Sequence, residues 1–97
     1  MSEYPVVTIC GSMRYYQQMV KAAEHLTGNG YIVLMPFVAA YSHGEPSDAR
    51  KKMLDDMHKK KIDMSETIMI IGTHRGESTV SEIQYAVSLG KAIMTWE

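Results

Sequence analysis

The sequence predicts an α/β fold in which a parallel β-sheet is covered by helices on both faces. Residues 5–10, 31–36 and 67–72 are continuously apolar rather than alternating, which is typical of strands buried on both sides. Helical patterns separate these strands, and "KAIMTW" at 91–96 predicts a fourth strand. The order β-α-β-α-β-α-β indicates a single Rossmann- or flavodoxin-like domain spanning residues 1–97.

The three predicted helices follow the spacing of apolar residues and the residues that end helices. The first is predicted over 15–27, before the glycines of "GNG". The second is predicted over 47–61, after a loop at 37–47 rich in Gly, Pro and Ser. The third is predicted over 79–89, ended by Gly90. The apolar residues predicted to face the sheet are Ala49, Met53 and Met57 on the second helix and Val80, Ile83 and Val87 on the third.

Right-handed crossovers restrict the order of the strands in the sheet, and the order 2-1-3-4 is predicted. The chain then reverses direction between the first and third strands, and ligands of such sheets bind outside the carboxyl ends of the strands at this switch point. The loops "GSMR" (11–14) and "GTHRGEST" (72–79) should therefore face each other.

Composition excludes several classes of protein and partner. The chain has 45% hydrophobic residues, 22% charged residues and a net charge of −1, as expected for a globular protein that does not coat nucleic acid. Six of its ten basic residues alternate with aspartates in the second helix, which predicts a solvated face. No apolar run approaches the ~20 residues of a membrane span. The single Cys10 and the absence of a secretory signal predict a cytoplasmic protein without disulfides.

Metal ligands and cofactors are not indicated by the sequence pattern. The four histidines are scattered, and neither a CxxC nor an HxxxH spacing is present. Because structural and catalytic metal sites commonly show such spacings, no metal or cofactor is predicted.

The first switch-point loop carries Gly11, Ser12 and Arg14 between a strand and a helix. Backbone N–H groups at a helix start and a nearby guanidinium favour an anion such as phosphate. Alternatively, the glycine serves only the turn and the serine only the helix cap. The local sequence does not separate these two interpretations.

The second loop leads to Glu82, for which two roles are open. Thr79-x-x-Glu82 fits a capping box, in which each side chain bonds the backbone N–H of the other residue. A carboxylate near the start of a helix that opens into the switch-point crevice is also a candidate nucleophile. The local pattern favours the cap, whereas the predicted topology favours chemistry.

The segments "ICGSMR", "KIDMSETIMIIG" and "GESTVSEIQYAVSLGKAI" resemble the nucleoside 2-deoxyribosyltransferase-like superfamily, which includes deoxynucleoside-monophosphate N-glycosidases. The resemblance spans nearly the whole chain and is most specific over 76–91. It implies that Glu82 attacks the anomeric carbon of 2-deoxyribose and forms a glycosyl-enzyme that water or a second base resolves. The substrate would be a 2′-deoxynucleoside or its 5′-monophosphate.

The resemblance also implies roles for other residues. The residues implied to bind sugar or phosphate are Gly11, Ser12, Arg14, Gly76, Ser78, Thr79 and Ser81. A carboxylate before the third strand is implied to orient the sugar or protonate the leaving base, and Asp63 matches it best, with Asp56 as the alternative. Either aspartate can instead be a solvated helix charge paired with neighbouring lysines.

The chain departs from the family pattern at Thr8, where many members have a tyrosine that positions the nucleophile; Tyr15, Tyr16 or Tyr41 are candidate substitutes. Members commonly complete their sites with a second subunit, so a homo-oligomer is expected, with methionine-rich helices as its adaptable surface.

Two other functions are open at this level. In the first, "STVSE" and "RKKML" partly resemble the signatures of cytokinin-activating phosphoribohydrolases. This resemblance implies a ribonucleotide substrate and a role for Arg50. In the second, the pocket binds a nucleotide without cleaving it, because fold alone does not define activity.

Overall fold

A computed structural model of the protein describes residues 3–36 and 47–96. The predicted loop at 37–47, which includes Tyr41, lies outside these residues except for Ser47. The elements in chain order are β1 Val6–Gly11, a 3₁₀ turn Met13–Tyr15, α1 Tyr16–Gly28, β2 Ile32–Leu34, α2 Asp48–Asp63, β3 Thr67–Ile71, α3 Glu77–Ser88 and β4 Ala92–Trp96.

The four strands form one parallel sheet in the order β2-β1-β3-β4, which confirms the predicted order and the Rossmann-like fold. In the register of the central pair, Cys10 lies beside Ile70 and Gly11 beside Ile71. The carboxyl ends of β1 and β3 are therefore level, and the loops that follow them start side by side at the switch point.

The sheet separates two apolar cores. Val7 and Ile9 point to the face covered by α1, where they pack with Met19 and Leu26. Cys10 lies in the other core, with the side chain of Ile62 from α2 and with Ala86 from α3. Because successive side chains of a strand alternate between faces, β1 contributes to both cores and is buried on both sides.

The predicted core faces of α2 and α3 are displaced by one residue, although the predicted Ile83 is partly buried against the second core. Met53 and Met57 are 49% and 51% exposed, and Val80 and Val87 are 40% and 59% exposed. The buried residues are instead His58 and Ile62 on α2, and Thr79, Glu82 and Ala86 on α3. A shift of one residue rotates a helix face by about 100°. The apolar pattern predicts these faces incorrectly because one of the two buried residues of α2 and two of the three buried residues of α3 are polar.

A contact between the two switch-point loops involves Tyr15 and Gly72. The Tyr15 hydroxyl accepts a hydrogen bond of 3.0 Å from the backbone N–H of His74. Gly72 has a φ of 76°, and its α-carbon lies so close to the Tyr15 ring that an added β-carbon would overlap it. The loop after β3 is thus held against the start of α1.

None of the helices within 3–36 and 47–96 is both long enough and apolar enough to cross a membrane.

Candidate functional site

The candidate site lies at the carboxyl ends of β1 and β3, where the two predicted loops meet. Two adjoining pockets there share the lining residues Gly11, Met13, Lys51, Ser78 and Thr79. The first pocket extends inward to His58 and Glu82, whereas the second extends outward to Ser12 and Gly76. The outer cavity has a volume of about 410 Å³, which is within the range of small-molecule sites.

Glu82 is buried within α3 and does not cap it. The helix begins two residues earlier than predicted, at Glu77, with Gly76 as its N-cap and no side-chain cap hydrogen bond. The N–H of Val80 bonds the carbonyl of Gly76, so Thr79 belongs to the first turn and Glu82 to the second. The predicted capping box is therefore wrong, and the burial of Glu82, which is 8% exposed, requires another explanation.

The Glu82 carboxyl group belongs to a buried cluster formed by one side chain from each of three elements. Glu82 Oε1 lies 3.6 Å from Nε2 of His58 on α2. The same Nε2 lies 3.6 Å from Sγ of Cys10 on β1. Nδ1 of His58 is buried without a hydrogen-bond partner among the described residues. The contact between His58 and Glu82 is longer than a normal nitrogen–oxygen hydrogen bond of 2.7–3.2 Å, whereas the Cys10 thiol interacts with both residues.

Burial disfavours the charged form of each member of the cluster. It raises the pKa of Glu82 from 4.5 to about 7, with Asp55 adding to the rise and Cys10 and Lys59 opposing it. Burial, followed by the charge of Lys61, lowers the pKa of His58 to about 4. Burial and then the nearby Glu82 raise the pKa of the Cys10 thiol. The 3.6 Å contact of His58 and Glu82 therefore joins a neutral imidazole to a carboxyl group that titrates near neutral pH, and is not a fully charged salt bridge.

Five of the predicted binding residues line the two pockets: Gly11, Ser12, Gly76, Ser78 and Thr79. Ser12 also caps the 3₁₀ turn, because its Oγ accepts a hydrogen bond from the N–H of Arg14. Arg14 and Ser81 line neither pocket, and neither does Arg50.

The structure does not bring Asp63 to Glu82. Asp63 is the last residue of α2, at the end of the sheet where β3 begins, and it lines neither pocket. Its carboxylate accepts a hydrogen bond from the Tyr85 hydroxyl and lies 3.8 Å from Nζ of Lys60, which agrees with the alternative of a paired helix charge. Asp56 is also exposed and lines neither pocket. The aspartate that lines the inner pocket with Glu82 is Asp55.

Of the tyrosines proposed as substitutes for Thr8, Tyr15 and Tyr16 line neither pocket. Thr8 is fully buried, and its hydroxyl donates a hydrogen bond of 3.0 Å to the carbonyl of Lys61, below the pocket. Tyr15 binds the loop after β3, and Tyr16 is exposed on α1. Tyr41 lies outside the described residues.

Sequence reasoning missed Cys10, Asp55 and His58. Cys10 lies on β1 and the other two residues on α2, and none of them shares a motif spacing with Glu82 on α3. One signal was present, since Asp55 and His58 are three residues apart and so lie on the same face of α2. The apolar pattern instead places Met53 and Met57 on the buried face of α2, and this hides the signal from Asp55 and His58.

A comparison with models of known protein families found no match, and neither did a search of curated proteins. The fold and the pockets define the class that is shown: a Rossmann-like parallel α/β protein with a small-molecule-sized cavity at its switch point.

Proposed function

We propose that the protein cleaves or transfers the N-glycosidic bond of 2′-deoxynucleosides or their 5′-monophosphates, with Glu82 as the nucleophile. One observation carries this proposal: Glu82 is almost fully buried, yet it lines the inner pocket at the switch point of the sheet. A carboxyl group in this position has no capping role to explain it. It can approach a sugar bound in the crevice, where substrates of open α/β sheets bind.

The reaction proceeds in two displacements. A Glu82 carboxylate oxygen bonds to the anomeric carbon while the bond from that carbon to the base nitrogen breaks, and the base leaves with the electron pair and takes up a proton. Water or a second base then attacks the same carbon and releases the carboxylate. A carboxyl group with a pKa of about 7 is ionised in a substantial fraction of molecules at neutral pH, as the first step requires.

The second carboxylate of this mechanism is Asp55 rather than Asp63. Asp55 lines the inner pocket with Glu82, and its charge contributes to the raised pKa of Glu82. A carboxyl group across the pocket can orient the sugar hydroxyl or supply the proton that the leaving base takes up.

The outer pocket is suited to the 5′-phosphate of a monophosphate substrate. It is lined by Gly76 and Ser78 at the start of α3 and by Lys51 from α2. The positive end of the helix dipole, a hydroxyl and an ammonium group favour a phosphate there. Glu77 also lines this pocket, and its carboxylate opposes the binding of the anion.

The proposal is tested by incubating the protein with deoxy- and ribonucleosides and their monophosphates and measuring free base by chromatography. Release from the deoxy substrates is expected. Release from ribonucleotides alone would favour the phosphoribohydrolase alternative. If calorimetry shows that a nucleotide binds but no base is released from any substrate, both enzyme hypotheses are refuted and the protein is a nucleotide-binding module.

Neighbouring aspartates supply a matched pair of variants for this assay. Asp55→Asn is expected to lower kcat by roughly 10²–10⁴-fold, the range of a lost general acid or base. Asp56→Asn, which changes the adjacent exposed residue, should leave kcat unchanged. Equal effects of the two variants would refute the role of Asp55.

The proposal also includes self-association of the protein into a homo-oligomer. The half-exposed Met53 and Met57 of α2 supply adaptable apolar surface near the pocket. Light scattering after size exclusion is expected to give a mass above the 10.9 kDa of one chain.

A further inference from the structure

We propose that Cys10, His58 and Glu82 form a binding site for a divalent transition-metal ion, with Zn²⁺ the best fit. This inference does not rest on the proposed glycosidase function. It concerns the same carboxyl group, so the two functions exclude each other at any one moment.

The geometry of the cluster matches the edges of a tetrahedral metal site. One ligand atom from each side chain is available, and the three atoms lie within 4.8 Å of one another. With metal–ligand bonds of about 2.0–2.3 Å, ligand atoms in a tetrahedral zinc site are separated by roughly 3.4–3.6 Å. The distances from His58 Nε2 to Cys10 Sγ and to Glu82 Oε1 are both 3.6 Å. Only small side-chain movements are needed to place all three atoms around one ion.

Hydrogen bonds explain only part of this convergence, because the Cys10 thiol contacts both His58 Nε2 and the Glu82 carboxyl group while these two do not bond each other. The 3.6 Å separation of His58 Nε2 from Glu82 Oε1 is too long for a hydrogen bond. Nδ1 of the same ring is buried without a partner in the described part of the chain. Buried polar groups in folded proteins nearly always have partners. An ion bound by Nε2, Sγ and Oε1 would account for the convergence of those three atoms, although it would not contact Nδ1.

Charge balance also favours a divalent cation. A thiolate and a carboxylate carry two negative charges, which are costly to bury alone. A dication bound by both groups and by a neutral imidazole gives a cluster with no net charge, and binding releases the thiol proton to solvent. The Lys61 ammonium group, whose charge acts on His58, donates a hydrogen bond to the carbonyl of Met35. The combination of sulfur, imidazole nitrogen and carboxylate oxygen is typical of zinc ligands.

The fourth coordination position would open into the inner pocket. His58 and Glu82 both line this pocket, so a water molecule or a ligand can reach an ion held between them. While the ion is bound, the Glu82 carboxylate is occupied and cannot attack a sugar. If the proposed function is correct, Zn²⁺ therefore inhibits it reversibly.

The test uses cobalt as a spectroscopic substitute for zinc. The full chain is stripped with a chelator, dialysed, and titrated with Co²⁺ while the visible and near-ultraviolet spectra are recorded. A thiolate-to-cobalt charge-transfer band and intense tetrahedral d–d bands are expected, with one ion bound per chain and full displacement by Zn²⁺. Absence of the charge-transfer band, or more than one ion per chain with no band, would overturn the proposal.

Variants assign the ligands. Cys10→Ser should abolish the charge-transfer band, and His58→Gln should weaken Co²⁺ affinity by at least about tenfold. His25→Gln, on the exposed surface of α1, is the matched control and should bind as the wild type does. If His25→Gln weakens binding as much as His58→Gln, the proposed site is wrong. Circular dichroism checks the fold, and the wild-type spectrum remains decisive even if a variant fails to fold.

The outcomes are distinguishable from those of the glycosidase assay. The cobalt spectrum requires no substrate, so an inactive protein can still show the metal site. An active protein without a cobalt spectrum would retain the proposed function and lose this inference. If both hold, Zn²⁺ should suppress base release and excess chelator should restore it.

Discussion

Replacing Gly72 by alanine tests the contact that holds the two switch-point loops together. The residue has a φ of 76°, and a left-handed conformation costs an alanine roughly 1–2 kcal/mol. An added β-carbon would also lie 2.4 Å from two atoms of the Tyr15 ring. Displacing that ring strains the packing and breaks its hydrogen bond to His74, at a further cost of roughly 1–3 kcal/mol. The free energy of unfolding should therefore fall by roughly 2–5 kcal/mol.

Gly90 supplies the matched control for this substitution. Its φ is 72°, but nothing lies within 4 Å of a β-carbon added there. Gly90→Ala should therefore cost only the conformational ~1–2 kcal/mol. Urea unfolding of both variants gives the difference, and the melting temperature of a domain of this size falls by about 4–8 °C per kcal/mol. Equal costs for the two variants would refute the overlap with Tyr15.

A double-mutant cycle assigns the extra cost to the ring itself. In a Tyr15→Ala background the overlap is gone, so Gly72→Ala should cost no more than Gly90→Ala does. Contacting residues show such coupling, whereas distant ones are additive. An extra cost that persists without the Tyr15 ring would show that backbone strain in the loop, rather than this contact, is responsible.

Three further predictions follow from the hydrogen bonds and burial of single residues. Thr8→Val should cost about 0.5–1.5 kcal/mol in chemical denaturation, because the contacts of the Thr8 hydroxyl with the Lys61 carbonyl and the Ser65 hydroxyl are lost; an unchanged midpoint would contradict this. Ser47→Ala should lower the free energy of unfolding by about 1 kcal/mol, because the Ser47 Oγ accepts the capping hydrogen bond of α2. An unchanged free energy of unfolding would contradict this role of Ser47. In metal-free buffer, the raised pKa of Glu82 means that the folded state holds its proton more tightly, so stability falls by up to roughly 3 kcal/mol as the pH rises from 4.5 through about 7. The lowered pKa of His58 acts in the opposite direction below about pH 6.5, so the readout is the difference between the wild type and Glu82→Gln. From pH 5 to pH 8 the wild type should lose roughly 2–3 kcal/mol more than the variant; equal changes would refute it.

The location of the site could be predicted from the sequence, but its composition could not. Gly11 and Ser12 follow a predicted strand end, and the family resemblance implies Gly76, Ser78 and Thr79; all five residues line the pockets. The family resemblance implies a carboxylate just before the third strand, which points to Asp63 or Asp56 and not to Asp55. The structure shows that α2 runs away from the switch point as it approaches β3, so its last residues lie far along the helix from Glu82.

The sequence alone determined the architecture: four strands, the helices between them, and the sheet order 2-1-3-4. It could do so because continuous apolar strands and right-handed crossovers are governed by local chain physics. Only the tertiary structure decided which faces of α2 and α3 are buried. An error of one residue turns such a face by about 100°, and the buried groups here include Cys10, His58 and Glu82, whose proximity requires three separate elements to pack. Hydrophobic periodicity predicts polar residues at the surface, so it carries no signal for a polar cluster assembled in the core.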